Sequence, residues 1–235
     1  GANTTVFSVF NGFFLRPLPY PGDDRLVMVH DSLPKIGVDD GGTSIPGYLD
    51  WREQAPALEA VAIYAPARRT LRQEQLPEQI AVTRASPSLF AVLGVAPALG
   101  RAFTEDEAVP GGDRVVVLSH RLWSTRFGAR ADVVGRDVRL DDELFRVVGV
   151  MPEPFGFPNR DVDAWVPFAY APAQAGDDAR FQGLAASIGR LRPGATLAGL
   201  NAELDAIARR NVERLPRLAP FADASGYTVR ARPRS

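Results

Sequence analysis

The chain of 235 residues contains no cysteine, only two histidines and a single lysine, Lys35. Without cysteine it has no disulfide framework, no thiol nucleophile and no cysteine-ligated metal site. Its net charge of -1 and its lack of a basic run argue against nucleic-acid binding, which needs clustered arginine and lysine. After residue 15 no apolar run approaches membrane-spanning length. The length allows one large domain or two small ones, each with a sizeable core.

Motifs for catalysis or ligand binding are also scarce. His30 falls in a predicted strand and His120 at a predicted strand-to-helix corner, and neither has a metal-ligand spacing. The acidic pairs at 39–40, 141–142 and 161/163 fit turns and loops better than a cation site or an acid–base pair. No phosphate-binding glycine loop and no nucleophile elbow occurs. The sequence therefore predicts a non-catalytic protein without a cofactor or metal.

The first twenty residues join an uncharged apolar run, 4–14, to Arg16-Pro-Leu-Pro-Tyr20. The run is too short to cross a hydrocarbon core of about 30 Å. As the outer end of a longer helix it would place Arg16 and Tyr20 at the headgroup level, where a snorkelling cation and an amphipathic ring are favoured. A core helix opening a soluble domain fits the same residues. A secretory signal fits less well, because no basic region precedes the run. Since the chain starts at Gly1, we expect a piece of a larger protein.

Beyond residue 20, helix and strand signals alternate. Strands are predicted at 24–31, 61–64, 70–73, 79–84, 114–119, 138–140, 144–150, 163–168, 181–191 and 227–232. Helices are predicted after Ser44, after Ser86-Pro87, at 123–127 and from Thr196, where leucines spaced by three and four residues form the longest amphipathic stripe. An acidic turn at 141–143 joins two strands as a hairpin. Interleaved helices and strands predict an α+β fold.

Short phrases spread along the chain carry a family resemblance. They are Arg16-Pro-Leu-Pro-Tyr20, Ser44-x-Pro-x-x-x-Asp-Trp-Arg52, Leu93-Gly-Val-x-Pro-x-Leu-Gly-Arg-x-Phe103, Leu122-Trp-x-x-Arg-Phe-Gly128, Val134-Gly-Arg136, Phe145-x-Val-Val-Gly-Val-Met-Pro152, Asp163-x-Trp-Val-Pro167 and Gly189-Arg-Leu-x-Pro-Gly-x-Thr-Leu197. In this order they resemble the MacB-like periplasmic core domain of FtsX-type ABC transporter permeases, and most closely the large bacterial group of duplicated orphan permeases. The likeness covers nearly the whole chain.

The residues that carry this likeness are interpreted as fold determinants rather than as a binding or catalytic site. Glycines fit tight turns, and tryptophans among apolar residues fit a core better than a stacking platform. The fold-signature residues are Trp51, Arg52, Gly100, Arg101, Trp123, Phe127, Gly135, Gly149, Pro152, Trp165 and Gly194.

The resemblance implies a two-lobed α+β domain on the periplasmic side of the bacterial inner membrane. A mixed α/β porter-like lobe would combine residues 21–95 and 180–235, and an inserted β-rich sabre-like lobe would span residues 96–179. Residues 1–20 would be the outer end of the first transmembrane helix and its exit. Three further transmembrane helices would follow residue 235.

The resemblance also implies a non-catalytic role. In this family ATP is hydrolysed in the cytoplasm, helix movements pass outward and the periplasmic lobes shift. Expected partners are the permease transmembrane region, a cytoplasmic ATPase subunit or domain, a periplasmic adaptor and a second copy in a dimer. The phrases at 16–20 and 50–52 belong to the orphan group, whose members often lack an assigned cargo, so macrolide or toxin export is not transferred.

A second hypothesis stays open beside the transporter interpretation. The chain could be a free-standing periplasmic binding module for a peptide, a lipid or a glycan. That function would require a concave apolar pocket with a few convergent polar groups.

Overall fold

The computed structural model describes residues 20–72 and 77–234. They fall into two compact units. Unit 1 contains residues 22–63 and 172–234, and unit 2 contains residues 20–21, 64–72 and 77–171. Across these described ranges, none of the helices has both the length and the apolar character needed to cross a bilayer. The predicted apolar run at 4–14 and Arg16 lie outside the described residues.

Unit 1 is a sheet covered by helices. Its sheet has the order β10–β1–β9–β2, and β1 pairs antiparallel with both β10 and β9. The strands are β1 (Leu26–Ser32), β2 (Leu58–Arg72, of which 58–63 belong here), β9 (Ala186–Leu191) and β10 (Thr228–Pro233). The α-helices are α1 (Ile45–Gln54), α4 (Pro172–Ala175), α5 (Leu197–Arg214) and α6 (Ala219–Ser225). Short 3-10 turns lie at Asp23–Arg25, Pro34–Ile36, Asp177–Ala179 and Pro216–Leu218.

The two longer helices of unit 1 begin where the sequence predicts. The Ser44 hydroxyl accepts a hydrogen bond from the Gly47 amide at 3.1 Å, and the Thr196 hydroxyl accepts one from the Gly199 amide at 3.0 Å. Each cap satisfies a backbone donor that the first helical turn leaves without a partner. The apolar stripe of α5 is buried, which stabilises the unit by roughly 1.5–3 kcal/mol for each large side chain. Its buried members are Leu200, Leu204, Ile207 and Ala208.

Unit 2 is built around six strands that close into a ring. The order is β2–β3–β8–β5–β7–β6 and back to β2, with parallel pairing in β3/β8 and β5/β7. Its strands are residues 64–72 of β2, β3 (Glu78–Ala85), β4 (Leu99–Gly100, which pairs with β7), β5 (Val115–Leu118), β6 (Asp137–Leu140), β7 (Glu143–Val150) and β8 (Ala164–Pro167). Its α-helices are α2 (Leu89–Leu93) and α3 (His120–Arg126).

Side chains of all six ring strands meet in one apolar cluster. In β6, Val138 and Leu140 are buried while Asp137 and Arg139 are exposed, the alternation expected of a strand with one face in a core. The cluster comprises Leu71, Ile80, Val82, Val116, Leu118, Leu122, Val133, Val138, Leu140, Phe145, Val147, Val150, Ala164 and Val166. Burial of these apolar side chains in one shared cluster explains why the six short strands form a closed ring.

The predicted acidic hairpin between β6 and β7 is confirmed. Asp141 has a positive φ of 55°, and its carboxylate accepts the Thr70 amide at 2.8 Å and pairs with Arg69 at 2.9 Å. The hydrogen bond from the Thr70 amide is the main cause that lowers the pKa of Asp141 below its usual value, and the bond from Arg69 adds to it. The turn is therefore fixed by contacts to β2 as well as by its local chemistry.

Two predicted strand boundaries are wrong. The separate strands predicted at 61–64 and 70–73 belong, as far as residue 72, to one continuous β2. Residues 65–69 stay extended because they pair with β3 from Ala65↔Arg84 to Arg69↔Ile80, which overrides their weak strand propensity. The strand predicted from 181 begins only at Ala186, because local hydrogen bonds of the Gln182 amide to the Ala179 carbonyl at 3.0 Å and of the Leu184 amide to the Gln182 carbonyl at 2.9 Å hold the preceding residues in turns.

Candidate functional site

One end of the unit 1 sheet brings together the start of β1 and the end of β10. We call residues 22–26, 191 and 233–234 the base of unit 1. Val27 lies opposite Pro233 in the antiparallel pair, and the Arg234 amide donates to the Leu26 carbonyl at 3.1 Å. The chain therefore enters and leaves this sheet through neighbouring, hydrogen-bonded strands.

A buried ion pair ties the two segments of the base together. The Arg234 side chain is only 2% exposed, and its Nη1 lies 2.8 Å from Oδ1 of Asp23, whose side chain is 26% exposed. A guanidinium taken out of water needs an anionic partner. Removal of either member of the pair leaves the other as an uncompensated buried charge. The pair therefore holds the residues before β1 against the residue after β10.

Two more arginines connect the base to neighbouring strands. Arg25 Nη1 lies 2.8 Å from a Glu59 carboxylate oxygen and donates to the Leu191 carbonyl at 2.9 Å. Arg190 donates from Nη1 to the Gly22 carbonyl at 3.1 Å. Burial, and then the charge of Arg25, lowers the pKa of Arg190. These contacts join β1, β2 and β9 at the same end of the sheet.

The opposite end of unit 1 contains a second polar cluster, the Arg180 network, which lies on α1, the 3-10 turn at 177–179 and α5. Arg180 is nearly buried and reaches Asp50 and Asp177, each at 2.6 Å. Asn211 donates to Asp50 at 2.8 Å, and Arg214 pairs with Asp177 at 2.8 Å. Hydrogen bonds from Arg214 and then Arg180 hold the pKa of Asp177 far below its usual range. The network fixes the C-terminal half of α5 against α1.

A groove of about 450 Å³ opens beside this end of α5. Lys35, which follows β1, donates from Nζ to the Asp223 carbonyl of α6 at 2.8 Å across it. Its lining includes Lys35, Asp205, Arg209, Val212, Asp223 and Tyr227. Next to α6, Phe221 is 42% exposed. We call this region, with α6 and the groove, the far end of unit 1.

The signature residues of unit 1 have structural positions. Trp51 is 1% exposed within α1. Arg52 follows it and places its guanidinium 5.6 Å from the ring centroid of Tyr48. Gly194 has a φ of 82° in the turn that precedes α5. None of the three lies in the base, and their assignment as fold signatures stays a prediction.

Gly100 and Gly149 face each other where β4 pairs with β7. A Cβ on Gly149 would lie 2.4 Å from the Arg101 carbonyl oxygen, so the two backbones approach too closely for a side chain. The expectation that Gly149 serves a tight turn is wrong, because the residue lies inside β7. Arg101 itself pairs with Glu107 at 2.7 Å.

Trp165 lies at the centre of an aromatic cluster in unit 2. It is fully buried, its Nε1 donates to the Phe157 carbonyl at 2.9 Å, and its ring meets those of Phe155 and Phe90 at 5.1 and 6.2 Å. The carbonyl of Pro152 accepts the Phe155 amide at 2.9 Å and so shapes the loop that supplies this ring.

Trp123 is less buried than the sequence predicts. Trp123 lies in α3 and Phe127 directly follows this helix, and both are partly buried and pack on the apolar cluster of unit 2. The Trp123 Nε1 donates a hydrogen bond to the Arg130 carbonyl at 2.9 Å. The indole lies at the margin because its polar edge bonds a surface loop. Gly135, with a φ of 90°, lies in the turn before β6.

Tyr20 has a different environment from the one expected at a membrane surface. Its side chain is 6% exposed, its hydroxyl donates to the Gly156 carbonyl at 3.1 Å, and its ring packs edge-on against Phe155 and Phe157. The ring therefore fastens the start of the described chain to unit 2. The position of residues 16–20 at the membrane boundary stays a prediction.

The residues considered for catalysis lie in a strand, at a helix start and in loops. His30 is buried in β1, and burial is the main cause that lowers its pKa. His120 is the first residue of α3, which Ser119 caps. Asp40 accepts the Gly42 amide, and Asp163 pairs with Arg121 at 2.8 Å. In the ranges 20–72 and 77–234 no three His, Cys, Asp or Glu side chains are grouped as metal ligands.

Sequence reasoning did not find the base or the Arg180 network. Asp23 and Arg234 are 211 positions apart, and Asp50 and Arg180 are 130 apart. Arginines are so frequent in this chain that none stands out as a partner. The one sequence feature that could have indicated the network is Asp50 in the Asp-Trp-Arg phrase, but this phrase does not show which arginine pairs with Asp50.

Solved structures with the same fold come from transport proteins. A domain of a protein named as a permease, from Porphyromonas gingivalis, has a TM-score of 0.65 at 19% identity over 92% of this chain and 94% of its own. The periplasmic region of MacB from Actinobacillus actinomycetemcomitans has a TM-score of 0.55 at 14% identity over 87% of both chains. The extracellular domain of the noncanonic ABC-type transporter YknZ from Gram-positive bacteria has a TM-score of 0.58 at 13% identity over 88% and 99%. No curated protein sequence matches the chain.

The fold is thus that of the extracytoplasmic domains of ABC-type permeases. The family model of the MacB-like periplasmic core domain matches residues 1–207, and the chain belongs to this family. It is a periplasmic domain of a MacB- or FtsX-like permease, whose transmembrane region and ATPase are its partners. The attachment to the membrane comes from the family.

Proposed function

We propose that this domain couples movement of the permease transmembrane helices to the handling of a periplasmic partner or cargo, without catalysing a reaction. The base of unit 1 is the observation that carries the proposal. Strands β1 and β10 leave it side by side, joined by backbone hydrogen bonds and by the buried Asp23–Arg234 pair. Movement that reached either strand at the base would therefore act on both.

The body of unit 1 is suited to pass such movement outward. Helix α5, about 27 Å long at its 18 residues, lies along β10. Its Asn201 side chain accepts the Ala231 amide at 2.8 Å and donates to the Ala231 carbonyl at 3.1 Å, as a neighbouring strand would. The Arg180 network then fixes the C-terminal half of α5 to α1. Rigid elements of this kind move as a body rather than bend.

The remaining parts of the assignment belong to the same proposal. Residues 21–95 and 180–235 would form the porter-like lobe, and residues 96–179 the sabre-like lobe. Residues 1–20, with Arg16, would lead out of the first transmembrane helix of the inner membrane. We further propose a dimer and a periplasmic adaptor that meets the far end of unit 1.

The alternative of a binding module for a peptide, lipid or glycan rests on the groove at the far end. Its volume of about 450 Å³ is within the range of about 300–1,000 Å³ found for small-molecule sites. The groove also fits the coupling role, as the place where a partner or cargo is handled. A ligand that bound the isolated chain tightly, with no effect of base substitutions on transport, would favour the alternative.

The coupling role is tested by Arg234→Met in the complete transporter. A fluorescent probe on Glu213→Cys, an exposed residue of α5 that lines the groove, reports on this helix in a domain that has no other cysteine. We expect the variant to lose part of the ATP-dependent change in probe signal while ATP hydrolysis continues. The reason is that Asp23, before β1, would lose its ionic link to the residue after β10, although the backbone hydrogen bonds between the two strands remain.

Arg232→Met is the matched control. Arg232 lies two residues earlier in β10, its side chain is 55% exposed, and its contact to Asp40 is long at 3.4 Å. It should leave the probe signal unchanged, because an exposed pair contributes about 0–1 kcal/mol. Melting of both variant domains checks that unit 1 stays folded at the assay temperature. A full ATP-dependent signal in a folded Arg234→Met transporter would refute the role of the base.

A further inference from the structure

Arg84 is a partly buried cation at one end of the unit 2 ring. In β3 the side chains of Ile80 and Val82 belong to the apolar cluster, and Arg84, two residues after Val82, lies on the same inner face of the strand. Its neighbour across the strand pair in β2 is Ala65, whose methyl group is too short to cover a guanidinium. The row of apolar side chains inside the ring therefore ends in a charged group.

Two contacts hold the Arg84 guanidinium in place. Its central carbon lies 4.2 Å from the centroid of the Phe168 ring, which is a cation–π contact, and its Nη2 donates to the Ala169 carbonyl at 3.0 Å. Among the residues that the structure describes, no other group accepts a hydrogen bond from Arg84, and no carboxylate forms an ion pair with it. Since every nitrogen of a guanidinium carries a donor, Nε and Nη1 remain available to a ligand.

A second arginine adds positive charge on the same face. Arg69 lies in β2 two residues before Leu71 of the apolar cluster, and its Nη1 pairs with Asp141 at 2.9 Å. Its Nε is buried and has no hydrogen-bond partner within the described ranges. Burial, and then the charge of Arg69, lowers the pKa of Arg84, and Asp113 opposes this only in part. A negatively charged group beside Arg84 would offset both the lost hydration and the repulsion.

We propose that Arg84 binds an oxyanion, either a carboxylate or a phosphate group, at this end of the unit 2 ring. A guanidinium is suited to both groups, because its planar set of N–H donors matches the spacing of their oxygens. The contacts to Phe168 and Ala169 hold the donor in place before a ligand arrives, so little freedom is lost on binding. The site lies within unit 2 and does not rest on the coupling role, which concerns the base of unit 1.

Titration of the full chain with inorganic phosphate and, separately, with acetate tests this site. The signal of the Arg84 Nε–H group is followed by NMR at neutral pH and constant ionic strength. We expect a saturable shift of this signal with at least one of the two anions, because an oxygen of the bound anion would accept a hydrogen bond from the guanidinium. Saturation by phosphate alone would assign the site to phosphate groups, and saturation by acetate alone would assign it to carboxylates.

Two arginine variants show whether Arg84 itself holds the anion. Arg84→Met keeps an unbranched side chain beside Phe168 and should weaken binding by about tenfold or more, since it removes charged hydrogen bonds. Arg146→Met is the control and should bind as the native chain does, because Arg146 is 63% exposed and its contact to Asp137 is long at 3.4 Å. Equal affinity of Arg84→Met and the native chain would overturn the proposal. So would a native Arg84 shift that rises without saturation, as the signal of exposed Arg146 should, and this measurement decides even if Arg84→Met does not fold.

Discussion

Replacing Arg180 by methionine is expected to lower the free energy of unfolding of unit 1 by about 3–5 kcal/mol, because it leaves two carboxylates without their buried cation. The Arg180 side chain is 4% exposed and pairs with Asp50 and Asp177, which are 17% and 26% exposed. Methionine keeps the chain length and the apolar packing, so the loss reports the charge. Urea or thermal denaturation at neutral pH measures it.

Arg214→Met is the control for this prediction. Arg214 pairs with the same Asp177 at 2.8 Å, but its side chain is 54% exposed, so its loss should cost no more than about 1 kcal/mol. The folded-state pKa of Asp177 is depressed, so the stability that its pairing contributes is present above the unfolded pKa and is lost as the pH falls through the folded pKa. The Arg180→Met cost should therefore shrink in acid. Equal losses for the two arginine variants would contradict the buried network.

Replacing Trp165 by alanine is expected to destabilise unit 2 by about 3–5 kcal/mol, because it opens a cavity in a closed aromatic cluster. The indole is fully buried, touches the rings of Phe90 and Phe155, and donates a hydrogen bond to the Phe157 carbonyl. The Phe157 carbonyl would also lose its partner. Equilibrium unfolding followed through signals of unit 2 measures the effect.

Trp123→Ala provides the comparison within the same unit. Trp123 is partly buried at the margin of the apolar cluster, so its truncation opens no enclosed cavity. We expect a loss of about half the Trp165 value or less. If the two substitutions lower the free energy of unfolding by the same amount, the deeper burial of Trp165 does not add to the stability of unit 2.

Local chemistry made several elements predictable from the sequence. Ser44 and Thr196 cap helices where hydroxyl residues precede an apolar pattern, and the 141–142 turn closes a hairpin. Each depends on residues only a few positions apart. The Trp51 and Trp165 phrases likewise predicted buried side chains, and both are buried.

Ring closure in unit 2 could not be predicted in this way. It depends on pairing of Leu71 with Leu140 and of Val82 with Ala164, which join strands far apart in sequence. Period-two alternation gives the buried face of a strand but not its neighbour. Gly149 also could not be explained from neighbouring residues in the sequence. A side chain is excluded there because the Arg101 carbonyl lies too close to it.

The candidate site was the least predictable part. Arg234 has no local feature that separates it from other arginines of the chain, and its importance comes from burial beside Asp23. Asp31 likewise has no local feature that marks it as buried, yet only 5% of the residue is exposed and it accepts a hydrogen bond from Tyr227. The proposed function depends on which charges are buried, and burial is set by tertiary packing.

Paired electron-spin distances in the complete transporter test the central claim most directly. One pair of labels, at Asp24→Cys and Glu213→Cys, spans unit 1 between exposed positions near the base and on α5. A second measurement uses Glu213→Cys alone and reports the distance between the two copies of the proposed dimer. If unit 1 moves as one body, ATP should change the distance between copies and leave the distance within unit 1 unchanged. An unchanged distance between copies would contradict coupling, and a changed distance within unit 1 would contradict its movement as one body.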